Sequence, residues 1–435
     1  METKNTLGYS LEHFKKYKRY AWKVLLGFSI LYCFLYAGRL NLPAAMPTMM
    51  IEEGWSKAQL GVLSSVMFWT YGMGHLFNGR LGEIFGLNRF IVAGCILSAS
   101  ANILIGLQSS LIVIIILWGF NGYFQSMAWS PGIALLAKWW PGDKRGFATG
   151  FANAFSGAGQ AIAAALVLFA FAVAPSMGWR AAFIFPVLIV AVVAIIYKLI
   201  IKESPSDIGL KEYVEDNPEK AANEEELKKI MAVKGKWYPY AYLLKQWRFI
   251  VWLFIIAGSS ISRYGLLTWI PTYFSEVFGV DLKEGIMGIL LLPLGMAAGA
   301  LIVPWLTDLF CPNNRLPAVF VSAIVAAVTV FIFRSIEPGA VASVLLFVAG
   351  FAIYGINSIV WAYASDIGGR VFSGTATGIL DASAYLGASV QAIFFGFVLD
   401  SMGWNVLFTA VIGVCVAVAV LSVIAGWGLD KKTQR

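Results

Sequence analysis

Charge is scarce in this chain. Only 13% of its 435 residues are Asp, Glu, Lys or Arg, against about 25% in an average soluble domain. With 59% hydrophobic residues, the composition excludes an ordinary soluble domain and places the chain in the membrane class. Histidine is scarcer still: two residues, which excludes a histidine-rich metal site. The four cysteines, Cys33, Cys95, Cys311 and Cys415, have neither metal-ligand nor redox spacing, and three of them lie in apolar runs. Alternating ten-residue segments of a membrane β-barrel are missing. The N-terminus is polar and basic, without the short apolar core and cleavage site of a signal peptide, so the first span is expected to be retained. No catalytic triad, phosphate-binding glycine loop or metal cluster stands out. An enzyme is therefore not expected, and neither is a cofactor.

Long apolar runs are what the chain does have. Run length predicts an all-α membrane protein with twelve spans, at 21–48, 58–80, 89–108, 110–138, 147–174, 180–200, 248–274, 285–306, 316–334, 341–364, 373–399 and 404–428. Between 201 and 247 the composition turns polar and mixed in charge, as in EYVEDNPEKAANEEELKKIMAVKGK. This reads as a linker carrying a short surface helix. The expected domains are a six-helix bundle over 1–200, the linker over 201–247, and a second six-helix bundle over 248–435.

The net charge of +8 could suggest nucleic acid, but its distribution argues against it. Lys15, Lys16, Lys18, Arg19 and Lys23 precede the first span, Lys144 and Arg145 lie between spans four and five, and Lys431, Lys432 and Arg435 close the chain. All gather on one side of the expected membrane. This positive-inside bias places both termini in the cytoplasm.

The two halves repeat. SMGWRAAF at 176–183 returns as SMGWNVLF at 401–408, and GFATG at 146–150 returns as GTATG at 374–378. Arg39 pairs with Arg263, and Glu83 with Asp308, at nearly the same offset. Each acid is followed by a basic residue, Arg89 or Arg315. Four matches at offsets of 224 to 228 residues point to a six-plus-six parallel repeat.

Arg39 and Arg263 sit inside the first apolar run of each half, and each is followed eight positions later by a proline, Pro47 and Pro271. A charge at membrane depth costs several kcal/mol, so it is normally kept for a purpose and faces a cavity rather than lipid. Guanidinium is always charged, and its planar donor fork suits phosphate, sulfonate or carboxylate. A matched pair of fixed cations suggests an anion site between the halves.

GRLGEIFGLNR at 79–89 resembles the loop signature of the major facilitator superfamily, with Glu83 at its usual acidic position. Its glycines permit close helix approach, and its charges are gating candidates: Glu83 and Arg89, with Asp308 and Arg315 as the second-half counterpart. YAGRLNLPAAMP, NGYFQSMAWSPG, ESPSDIGL, SRYGLLTWIPTYF and GTATGILDASAYLG are similar to stretches of the organophosphate:phosphate antiporters, a family within that superfamily. The likeness covers nearly the whole chain. It implies the major facilitator fold, a central cavity, and substrate phosphate held between Arg39 and Arg263. The cavity tyrosines of the glycerol-3-phosphate-transporting members are matched by Tyr32, Tyr36, Tyr354 and Tyr385.

Three positions depart from these relatives. Where they keep a cavity lysine after the YG of span two, this chain has His75. Where a glycerol-3-phosphate transporter has a span-five histidine, the match is Phe155, and where a hexose-phosphate transporter has a span-eleven lysine, the match is Asp381. Asp381 is thus a candidate proton-coupling carboxylate, and His75 a titratable ligand near neutral pH. Either one could instead be a structural partner. Gln125, Trp129 and Gln391 are expected to line the path.

The expectation is a secondary transporter of a small organic anion, working by alternating access as a monomer in the plasma (inner) membrane. A phosphate ester exchanged for inorganic phosphate is what the resemblance implies. Proton-coupled symport of a monoanion (a sugar acid, sulfonate or carboxylate) is the alternative. A transporter-like sensor is the more distant one.

Overall fold

The computed structural model describes residues 9–55, 57–212, 218–278, 282–311, 314–337 and 339–427. Lys431, Lys432 and Arg435 lie outside the described residues. Among the described residues all regular structure is helical. The order is α1 (Leu11–Leu35), α2 (Asn41–Glu53), α3 (Lys57–Phe85), α4 (Leu87–Gly106), α5 (Leu111–Trp139), α6 (Arg145–Val173) and α7 (Arg180–Ile200). The linker holds α8 (Pro218–Lys234) and α9 (Tyr238–Leu244). Then come α10 (Trp247–Phe278), α11 (Leu282–Phe310), α12 (Leu316–Phe333), α13 (Ala340–Met402) and α14 (Trp404–Gly426).

Nine stretches among the described residues are long and apolar enough to cross a membrane. One of these, Ala340–Gln391, contains two spans, because the 63-residue α13 is interrupted by non-helical Gly369 and Phe372. α3 and α6, each 29 residues long, bring the number to twelve. A helix satisfies its own backbone hydrogen bonds, which hydrocarbon cannot do. Accordingly α7, α12 and α14 leave Val192, Leu199, Val328, Phe331, Val420 and Val423 exposed, as lipid-facing side chains must be.

The repeat seen in the sequence has a backbone counterpart. Gly178 (φ 55°) and Gly403 (φ 78°), the glycines of the two SMGW motifs, both take the left-handed region just before α7 and α14. Residues with a Cβ resist that region, so glycine suits both places. The helix also resumes after Phe372, 228 residues beyond the start of α6, the offset of the GFATG and GTATG motifs.

The repeats differ at their arginines. α1 ends at Leu35, a 3-10 turn covers Tyr36–Gly38, and Arg39 is non-helical (φ −134°, ψ −27°) before α2 begins. α10 runs unbroken through Arg263.

Contacts divide the chain into two compact units that do not follow the sequence halves. Unit 1 is Met1–Ala148, Ala158–Ala241 and Ala364–Ala382; unit 2 is Thr149–Gly157, Tyr242–Tyr363 and Ser383–Arg435. In unit 1, Trp118 and Trp179 pack around Phe183, beside Leu42 and Leu63. In unit 2, Tyr273, Phe333 and Phe408 form a ring cluster with Trp404 at its edge.

Candidate functional site

Arg39 is held by tyrosines. Its Nη1 donates to Tyr71 Oη at 2.8 Å and its Nη2 to Tyr32 Oη at 3.2 Å. Its guanidinium carbon lies 3.7 Å from the centre of the Tyr36 ring. Such cation–π contacts contribute about 0.5–2 kcal/mol each, more where water is excluded. Trp129 supports the cage from behind, its ring 4.7 Å from that of Tyr32. Tyr71 is a member that sequence reasoning missed. Its place one helical turn before His75 on α3, on the same face, was the available signal.

The helix break that presents Arg39 is held by buried amides. Asn121 Nδ2 donates to the Gly38 carbonyl at 2.8 Å, and Asn102 Nδ2 donates to it at 3.2 Å. Gln125 Nε2 donates to the Leu35 carbonyl at 3.2 Å and to Ser98 Oγ at 2.8 Å. These bonds replace helix bonds that the break removes, which matters where lipid offers none. Gln125 was expected to line the path. It is instead fully buried and spent on the broken backbone, because a carbonyl freed inside a membrane helix needs a buried donor. Asn102 and Asn121 share this role and were not singled out from the sequence.

In unit 2, Arg263 stacks on two tyrosines, 4.4 Å from the Tyr264 ring centre and 4.7 Å from that of Tyr354. Its Nη2 also bonds to Tyr264 Oη at 3.1 Å. Tyr354 Oη in turn donates to Asn153 Oδ1 at 3.2 Å and meets Ser156 Oγ at 3.0 Å. Asn153 and Ser156 flank Phe155, so span five supports Tyr354 through the residues either side of the expected position. Tyr385 lies one ring further out, 6.4 Å from Tyr264. Gln391 is buried, 4% exposed.

His75 and Asp381 meet. Nδ1 of His75 is 3.2 Å from Asp381 Oδ2 and 2.9 Å from Ser130 Oγ. The imidazole is fully buried, and its ring stands edge-on to that of Tyr71 at 4.4 Å. Close backbone approach makes the contact possible. A Cβ on Gly79 would collide with the Gly374 carbonyl, and one on Gly378 with the carbonyl of His75 itself.

Glu83 caps a helix start. Its carboxylate accepts from the Thr375 backbone N–H at 3.0 Å and from Thr375 Oγ1 at 2.7 Å, in the first turn after the kink of α13. Free N–H groups at such a start attract an anion. Its cation is Arg80, at 2.7 Å. Arg89, the other gating candidate of this loop, is exposed. Arg80 precedes Glu83 by three residues on one helical face, whereas Gly86 (φ 96°) ends that face before Arg89. In the second half, Arg315 Nη1 binds Asp308 Oδ1 at 2.6 Å.

The linker also contributes a charged residue that sequence reasoning missed. Glu224 on α8 is 4% exposed. Its Oε1 is 3.2 Å from Arg145 Nη2 and its Oε2 2.7 Å from Arg370 Nε, beside the kink at Gly369. Burial pushes its pKa up, but the two guanidiniums outweigh burial and hold it below the ordinary carboxylate value. Nearby, Arg80 Nε donates to the Lys236 carbonyl at 2.5 Å, and Tyr240 Oη to that of Leu76 at 2.5 Å.

Known proteins resemble this chain along almost its whole length. The glycerol-3-phosphate transporter of Bacillus subtilis is 28% identical, over 96% of this chain and 95% of its own. A probable hexose phosphate transport protein of Chlamydia pneumoniae is also 28% identical, over 97% and 94%. The solved fucose:proton symporter of E. coli shares the fold at a TM-score of 0.69 and 14% identity, covering 94% of this chain and 98% of that one. Twelve spans in two repeats, an arginine in the first span of each, and a match of residues 28–392 to the family model agree: this chain belongs to the Major Facilitator Superfamily.

Proposed function

We propose that this protein takes up a small phosphate ester across the plasma membrane in exchange for inorganic phosphate, by alternating access. Arg39 and Arg263 each present a guanidinium to the substrate phosphate, and their tyrosines hold those guanidiniums in orientation. The observation that carries this reading is Arg39, set in a broken membrane helix and fixed by Tyr32, Tyr36 and Tyr71. A charge built into that position at such cost serves binding. The phosphate esters named for the two relatives, glycerol-3-phosphate and hexose phosphate, supply the substrate class. The basic residues flanking the spans put both termini in the cytoplasm.

The contact between His75 and Asp381 supports a second reading, proton-coupled symport of a monoanion. Purified protein in liposomes separates the two. Under exchange, uptake of glycerol 3-phosphate requires phosphate inside and ignores a proton gradient. Under symport, an inward proton gradient drives uptake into phosphate-free liposomes. Absence of flux in both conditions would overturn transport of this ester and favour a sensor.

A further inference from the structure

Four groups of unit 1 form a continuous series. Arg39 bonds to Tyr71, the Tyr71 ring contacts the His75 ring, and His75 Nδ1 meets Asp381. Among the described residues, the Tyr32 and Tyr36 phenols stand around Arg39, and the Ser130 hydroxyl on α5 meets His75 Nδ1. Arg39 brings the fixed positive charge of this group and Asp381 the carboxylate. With a neutral imidazole, the two charges offset each other. Arg263, which the reading above adds, leaves one positive charge in all.

A phosphate monoester carries close to two negative charges above about pH 6, its second ionisation. Against one positive charge, the dianion is in excess by one. A buried site does not hold an uncompensated charge cheaply. One proton corrects the excess, and the imidazole next to the carboxylate is placed to take it. On protonation, His75 becomes an imidazolium facing the Asp381 carboxylate, and their 3.2 Å contact becomes an ion pair. The proton comes from water; no covalent bond to the substrate forms or breaks.

We infer that His75 and Asp381 are a specificity-determining pair, through which the site takes a phosphate ester together with one proton and a permanent monoanion with none. This rests on the phosphate-ester reading.

Calorimetry in detergent at pH 7.5 tests it, in two buffers of different ionisation enthalpy, with glycerol 3-phosphate and glycerol 3-sulfate as probes. The wild-type protein is expected to take up close to one proton per phosphate ester and none per sulfate. Above pH 7 its Kd for the phosphate ester rises about tenfold per pH unit, the slope of one proton, while that for the sulfate stays flat. Asp381→Asn removes the offsetting carboxylate and is expected to bind the dianion without proton uptake. Phosphate binding by the wild type without proton uptake overturns this inference alone. So does unchanged proton uptake in Asp381→Asn. Binding of neither probe at any pH overturns the phosphate-ester reading and this inference with it. The wild-type measurement decides the matter even if the variant fails to fold.

Discussion

Glu224 and Arg370 lie 146 residues apart in sequence, yet Glu224 Oε2 accepts from Arg370 Nε at 2.7 Å. The same carboxylate holds Arg145, which is 1% exposed. One linker residue thus joins the start of α6 in the first repeat to the kink of α13 in the second, within unit 1. Glu224→Gln takes this anion from the buried Arg145 guanidinium, while the partly buried Arg370 keeps Glu212 at 3.3 Å. Breaking a buried pair in this way costs about 3–5 kcal/mol. The expected result is a lower Tm and faster amide exchange across 218–234. Unchanged exchange there would show that the contact does not hold α8. The pH dependence follows from the lowered pKa of Glu224. Its contribution is complete above the ordinary glutamate value of about 4.3 and is lost as pH falls through the lower folded value. Protection of α8 should therefore persist to more acidic pH than that of an ordinary surface glutamate contact.

Arg39→Lys and Arg263→Lys keep the charge and lose the fork. Each guanidinium hydrogen bond to a phosphate is of the charged kind, about 1.5–3 kcal/mol, so affinity should fall about 10- to 100-fold in either variant. Membrane insertion should survive. Uptake of glycerol 3-phosphate in liposomes, normalised to inserted protein, reads the effect. Wild-type uptake in both variants would remove the arginines from the substrate.

Gln125→Leu separates lining from support. The amide donates to Leu35 O and Ser98 Oγ, and loss of these bonds should cost about 1–3 kcal/mol of stability. Tm should drop while the ranking of phosphate esters in a competition assay stays the same. A changed ranking at unchanged Tm would return Gln125 to the substrate path.

Glu83→Gln weakens a helix cap and an ion pair together. A cap of this kind contributes about 1 kcal/mol, and about 1.4 kcal/mol is a tenfold change in an equilibrium. The balance of conformational states, read by accessibility of a single introduced cysteine, should shift by up to about tenfold. Turnover should change with it, and substrate preference should not. A change of preference with unaltered accessibility would contradict a gating role.

Much of this protein could be read from its residues. Run length predicts twelve helices because hydrocarbon requires every backbone polar group to be paired, and the alternation of a closed barrel is missing. The recurrence of SMGW, GFATG and the first-span arginines marks the repeat, and Arg39 and Arg263 stand out because a cation in an apolar run is costly.

What the tertiary structure alone decided is which polar side chain meets which. A helix sequence says which face a residue occupies, not what stands opposite. Nothing in TYGMGHLF or GILDASAYLG says that His75 and Asp381 touch; the glycine-lined approach of α3 to α13 decides that. Gln125 reads as a path residue until the break after Leu35 exposes a carbonyl that needs it. Glu224 reads as one charge among many in a solvated linker, until packing places it between two arginines from different repeats. These contacts join residues from 79 to more than 300 positions apart, and at that range only packing determines the partner.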